Sequence, residues 1–229
     1  MAEHDPGPKR GQAHGQPPPH SASAPTSTWR AASASRLLVE GKNHAMSLSH
    51  DISPRTYRFL PADILTSGYR VVGKIMVTSN GAMGMVNDPT RSAIEINDAR
   101  LARLHMPTKL VDHFELVRMM KKHVYAICLA RREDLGPHAL VRGGFTSVVE
   151  YPIRITTQMF EIEGIMELPG RFDFTALITE GLREFLPIFN ATLTGILIPN
   201  LRVESAGMLI NRNQVDLMAL LNQRVKPEN

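Results

Sequence analysis

The chain has 229 residues, one cysteine, 43% hydrophobic residues and a formal net charge of +4. That hydrophobic share is enough for a packed core, and a lone cysteine excludes a disulfide framework and fits a reducing, cytoplasmic compartment. No run reaches about 18 apolar residues, so no membrane span is expected, and the N-terminus lacks the charged start and apolar run of a secretory leader.

Charge is unevenly spread. Residues 1–50 carry +2, residues 51–135 carry +4 and residues 136–229 carry −2. An anionic partner for the basic half is one reading; attraction between the halves, or head-to-tail stacking of molecules, is another. A solvated surface with no dedicated partner is the plainest.

Residues 1–50 read as a disordered Pro/Ala/Ser-rich tail, with Pro17-Pro18-Pro19 and two Ala/Ser runs. Trp29 and Leu37-Leu38-Val39 make a short docking motif conceivable, but an unselected tail explains them as well. The Ala/Ser/Arg-rich, acid-poor composition is similar to a transit peptide, although no amphipathic helix is evident. Met46 stands directly before the structured region, which raises it as a second candidate start of translation.

A first unit is expected over 55–135. Tyr69, Val71, Gly73, Ile75 and Val77 alternate with Arg70, Val72, Lys74 and Met76, the period of a strand. Residues 79–89 carry loop-forming Gly, Asn, Asp and Pro. A strand is expected around 99–106, stopped by Pro107. Residues 114–120 and 124–129 then flank Lys121-Lys122-His123 as a hairpin with a basic turn. Residues 136–149 are read as a linker with a boundary near 140, and 222–229 as a C-terminal tail.

A second unit is expected over 150–221. Phe160, Ile162, Gly164, Met166 and Leu168 share one strand face, and Glu161, Glu163 and Glu167 point outward. Phe174, Leu177, Ile178, Leu182, Phe185 and Leu186 recur at three and four, predicting an inserted amphipathic helix, capped by Asp173 and ended by Pro187. A strand over 191–198 meets Pro199, and a second hairpin turns at 211–214.

The two units match at a nearly constant offset. Tyr69 and Phe160, Gly73 and Gly164, and Val124 and Val215 are 91 residues apart; Ala99 and Ala191, Leu101 and Leu193, and Pro107 and Pro199 are 92 apart. Such self-similarity indicates a tandem repeat. A glycine within a strand marks a bulge, a bend or a close backbone approach, so Gly73, Gly164, Pro107 and Pro199 are read as structural. The expected fold is mainly β with one or few helices: two tandem small five-stranded barrel-like domains, the second with the inserted helix.

A bent strand with central glycine, a third strand, then a hairpin with a tight polar turn resembles the Sm-like and SH3-like small barrels. Phe160-x-Ile162-x-Gly164, Pro169-Gly170-Arg171 and Phe185-Leu186-Pro187-x-x-Asn190-Ala191 also resemble an uncharacterised bacterial domain family of unknown function, over 155–220 and more loosely 64–130. The Sm likeness implies RNA contacts from Lys121, Lys122 and His123 in one unit and Asn211, Arg212 and Asn213 in the other. Neither turn has the Arg-Gly pair of that family, and both units carry an insertion after the glycine strand, so the likeness alone does not imply RNA binding.

No catalytic constellation is apparent. The P-loop pattern is absent, the histidines lack metal-ligand spacing, and Cys128 reads as core filler. No metal, cofactor or small-molecule substrate is expected. The candidate anion contact is the basic group Arg118, Lys121, Lys122, His123, Arg131 and Arg212. The leading expectation is a non-enzymatic interaction or regulatory protein that meets a protein partner or itself. The alternative is a nucleic-acid binder using the basic face of the first unit, and a third reading is an enzyme with a dispersed site. Initiation at Met46 is checked by mass spectrometry of the native protein, where peptides from residues 1–45 would overturn it.

Overall fold

The alternation of residues 69–77 is realised as a strand whose Val71, Gly73, Ile75 and Val77 are buried. The computed structural model describes residues 57–139, 148–198 and 200–221. The readings of the N-terminal tail, Met46, the boundary near 140, Pro199 and the tail at 222–229 lie outside the described residues.

The first half contains β1 (Arg58–Thr66), β2 (Tyr69–Val77), α1 (Gly81–Val86), β3 (Ala93–Arg103), β4 (Leu110–Met120) and β5 (Val124–Leu129). The second contains β6 (Val149–Thr156), β7 (Phe160–Leu168), β8 (Phe185–Gly195), β9 (Arg202–Asn211) and β10 (Leu217–Leu220). All ten strands join one antiparallel sheet in the order β10-β6-β7-β8-β9-β5-β1-β2-β3-β4. The order β5-β1-β2-β3-β4 thus recurs as β10-β6-β7-β8-β9.

Where the sequence sets a linker between two tandem units, one sheet runs through both halves. β5 pairs with β9, aligning Ala126 with Ile210, Ile127 with Leu209, Cys128 with Met208 and Leu129 with Gly207. Each half also lends side chains to the other's core. Phe185, Phe189 and Leu209 enter the cluster built on β1, β2, β3 and α1. Leu65, Tyr125, Ala126 and Cys128 enter the cluster built on β6, β7, β8 and β9. All six residues of β5 are buried, because Val124, Ile127 and Leu129 feed the first cluster and Tyr125, Ala126 and Cys128 the second. That is why Val124–Leu129 reads as an unbroken apolar run rather than an alternation.

The two hairpins are also corrected. β4 pairs with β3, and β5 pairs with β1 and β9; β4 and β5 are not neighbours. Lys121–His123 is a 3-10 turn that carries the chain from one edge of the half to the other. Arg212–Gln214 does the same between β9 and β10. Two apolar runs around a short polar turn look alike whether the strands pair or part.

Helix and loop exchange places relative to expectation. Residues 81–86 form α1, whose Ala82, Met83 and Val86 are buried in the first core. The stripe from Phe174 to Leu186 yields only a five-residue π-helix, Thr175–Thr179, with no buried residue. Leu182 is fully exposed, and Phe185 and Leu186 belong to β8. Asp173 does cap the short helix, its Oδ1 accepting from the Thr175 and Ala176 amides at 2.9 and 3.2 Å. A helix this short persists only where packing supports it, and strand pairing claims the second half of the stripe.

Gly73 and Gly164 sit at matched bulges. The β2–β3 register slips between Val72 and Lys74, and the β7–β8 register between Glu163 and Ile165. Opposite each glycine stand two residues, Asp98-Ala99 and Asn190-Ala191. Asp98 and Asn190 have positive φ, 52° and 48°, a conformation that Asp and Asn tolerate better than other side chains. A Cβ on Gly73 would lie 2.6 Å from Ile96 Cγ2 and 2.9 Å from the Asn97 carbonyl oxygen; on Gly164 it would lie 2.6 Å from Ile188 Cγ2 and 3.0 Å from the Phe189 carbonyl oxygen. Beyond the second bulge the other face of β7 is covered too, with Ile165 packed against the first core. Glu161 and Glu163 are exposed, but Glu167 is buried and paired with Arg132, against the expectation that it faces outward. The Arg132 guanidinium also stacks 4.1 Å from the centroid of the Phe189 ring.

Gly164→Ala is expected to lower stability by about 1–3 kcal/mol through overpacking, read from urea unfolding. Gly68→Ala, where a Cβ meets nothing within 4 Å, should change it by less than about 0.5 kcal/mol.

Candidate functional site

β4 ends the sheet, so one side of its backbone has no strand partner among the described residues. Its residues Leu110, Val111, Phe114, Leu116 and Met120 are all exposed, with Leu116 at 52%. Only Val117 and Met119 pack partly on the first core. Edge strands are ordinarily short, charged or covered. This one has 11 residues and apolar side chains on both faces. The opposite edge, β10, exposes Leu217 and Leu220.

The predicted basic group does not gather into one site. Lys121, Lys122 and Arg212 lie in neighbouring turns: the Asn211 Nδ2 donates to the Lys121 carbonyl at 3.1 Å, and the Gln214 Nε2 donates to the Lys122 carbonyl at 2.8 Å. Lys121 is buried, 3% exposed, and its Nζ donates to the Asp88 carbonyl at 2.7 Å. Arg212 donates to the Gly181 carbonyl. Lys122 and His123 are exposed. Arg131 lies beyond the far end of β5 and pairs with Asp134 at 3.0 Å. Arg118 pairs across the strands with Glu95 at 2.9 Å. Pro107 lies in the turn after β3, where its carbonyl accepts from Arg70 at 3.5 Å.

A second polar group surrounds the first bulge. Asp98 meets His113 Nε2 at 2.8 Å and Lys74 Nζ at 3.5 Å. The bond to His113 is the main reason its carboxyl titrates below the ordinary range. At the foot of α1 a surface depression gathers Thr78, Ser79, Asn80, Asp88 and Arg91. Asp88 is already engaged there by Thr90, through its amide and hydroxyl, and by Arg91. Cys128 is buried, and burial pushes its thiol well up, away from the nucleophilic thiolate. Among the described residues no group of three His, Cys, Asp or Glu is placed to hold a metal ion, and no helix is long and apolar enough to cross a membrane.

The residues that sequence reasoning missed are those of the β4 edge. The hairpin expected of residues 114–120 and 124–129 pairs that edge with β5 and leaves it no free side. No signal within 110–120 marks the edge, because apolar side chains on both faces read equally as a strand covered on both.

The chain matches no family model, no curated protein and no solved structure.

Burial lowers the pKa of Lys121; Glu184 and Asp88 oppose that shift and Arg91 adds to it. The folded chain therefore releases this proton at a lower pH than the unfolded chain. The cost of the buried charge is full below the folded pKa and fades as pH rises from there towards the ordinary value of 10.5. The stability of the wild type relative to Lys121→Met should accordingly rise with pH across that alkaline window, as measured by denaturant unfolding at a series of pH values.

Proposed function

We propose that this protein is a non-enzymatic interaction or regulatory protein, built from two copies of one small five-stranded barrel-like β unit, that meets its partner through the β4 edge. The observation that carries this reading is the run of exposed apolar side chains on an 11-residue strand at the edge of the sheet. An extended segment added to such an edge gains backbone hydrogen bonds and apolar burial together.

Support for the duplication comes from matched detail. Ala62 pairs with Gly73 and Ile153 with Gly164. Ala99 pairs with Phe114 and Ala191 with Ser205. Ala62 pairs with Leu129 and Ile153 with Leu220. These registers keep the offsets of 91 and 92 found in the sequence, and each half bulges at its glycine. The strand order of each half also fits the small-barrel resemblance.

Nucleic-acid binding by the basic face draws less support. Of the six basic residues, only Lys122 and His123 present exposed side chains without a bond described above.

A photo-cross-linking amino acid in place of Leu116, on β4, is expected to capture a protein adduct in cells. The same group in place of the exposed Glu204, on β9, should capture far less. Absence of any adduct at position 116 overturns the reading.

A further inference from the structure

We propose that the protein assembles head to tail, the β10 edge of one copy pairing antiparallel with the β4 edge of the next in the register of the internal β5·β9 joint. The inference rests on the β4 reading above and names its partner as a second copy.

The argument starts from the joint. Within each half, β5 and β10 occupy one end of the strand order, and β4 and β9 the other. The halves meet by setting the β5 end of the first against the β9 end of the second. That contact uses one end of each half, and the unused ends, β4 and β10, are again one of each kind. A second copy therefore offers to β4 a strand equivalent to the one that β9 already holds. Two β4 edges brought together would lack that complementarity.

The register follows from the paired positions. In the joint Leu129 faces Gly207, Cys128 faces Met208, Ile127 faces Leu209 and Ala126 faces Ile210. The equivalent positions set Leu220 against Leu116, Ala219 against Val117, Met218 against Arg118 and Leu217 against Met119. Leu116, Leu217 and Leu220 are the exposed apolar side chains that such pairing would cover. Charge points the same way: residues 51–135, which contain β4, carry +4, and residues 136–229, which contain β10, carry −2.

The two seams differ at their ends. In the joint, Ser205 Oγ lies 2.9 Å from the Leu129 carbonyl oxygen and accepts from the Leu129 amide at 3.1 Å, and Asn211 Nδ2 donates to the Lys121 carbonyl. The β4 residues at those positions are Phe114 and Met120, which are exposed and cannot make these bonds. The contact between copies is therefore apolar and lacks the polar clamps, so it forms reversibly and depends on concentration. It is heterologous, and closes into a ring or continues as a filament according to the rotation per copy.

Light scattering on the full chain tests this with Leu116→Lys, on β4, and Leu220→Lys, on β10. The wild type should show the mass of two or more copies, rising with concentration until any ring closes. Each variant alone should show the mass of one copy, and an equal mixture the mass of two copies and no more, since one free edge of each kind remains. Circular dichroism confirms that each variant is folded. Should either variant fail to fold, Leu116→Cys with Leu220→Cys serves instead. Opposed residues of an antiparallel pair lie within disulfide reach, so oxidation should yield a ladder of multimers from the double variant and none from either single one. A wild type of one-copy mass, either variant retaining the wild-type mass, or a cross-linked dimer from Leu116→Cys alone overturns the proposal. If the wild type has one-copy mass while position 116 still captures another protein, this inference fails and the β4 reading stands. If position 116 captures nothing, both fail.

Discussion

The pairing of β5 with β9 is the constraint on which the rest of the structure depends. β5 is buried on both faces, so its backbone amides and carbonyls have no access to water from above or below the sheet. A buried backbone group left without a partner costs on the order of 1–3 kcal/mol. β1 satisfies one side of β5 and β9 the other. Side chains then divide between the clusters, Ile127 and Leu129 into one, Ala126 and Cys128 into the other. Tyr125 meets Phe160 edge to face at 5.5 Å, tying β5 to β7 across the joint. Folding of either half thus leans on the other.

Polar side chains finish what the strands begin. Asn87, just after α1, accepts from the Phe185 amide at 2.8 Å and donates to the Phe185 carbonyl at 3.1 Å, so its amide behaves as a strand residue at the start of β8. Asn211 and Gln214 do comparable work at the turns, and Ser205 at the far end. Among the described residues no buried side-chain nitrogen or oxygen lacks a partner. These groups stand at the ends of the apolar seam, where they discourage slippage of its register.

Much of the fold was legible in the sequence where period and offset carry it. The strand from Tyr69 to Val77, its counterpart from Phe160, the two glycines and the Asp173 cap all follow from local chemistry. What failed depends on distant residues. α1 reads as a loop because Gly81, Gly84 and the flanking Asn80, Asn87, Asp88 and Pro89 outweigh its Ala and Met residues, and the first core supplies what propensity does not. The stripe from Phe174 to Leu186 has a helical period, but Phe185 aligns with Asn211 in β9 and becomes strand. Glu167 reads as outward because it keeps the parity of Glu161 and Glu163, and only the tertiary fold brings Arg132 over that end of the face. The candidate edge was hidden for a related reason. No pattern within 110–120 says whether β5 folds back beside β4 or crosses to β1, and that choice decides whether Phe114 and Leu116 are covered.

The β5·β9 joint lies within one polypeptide, which holds its strands at a high effective concentration. The edges β4 and β10 have no such tether to a neighbour. In the head-to-tail assembly proposed above, growth by those edges adds whole chains, each bringing both five-stranded halves already joined. Every closed ring made in this way has an even number of units. Odd rings would require the joint itself to open, exposing six residues of β5 that are now all buried. Under that proposal the two-half chain imposes a parity on assembly that a single half, free to add one at a time, would not have.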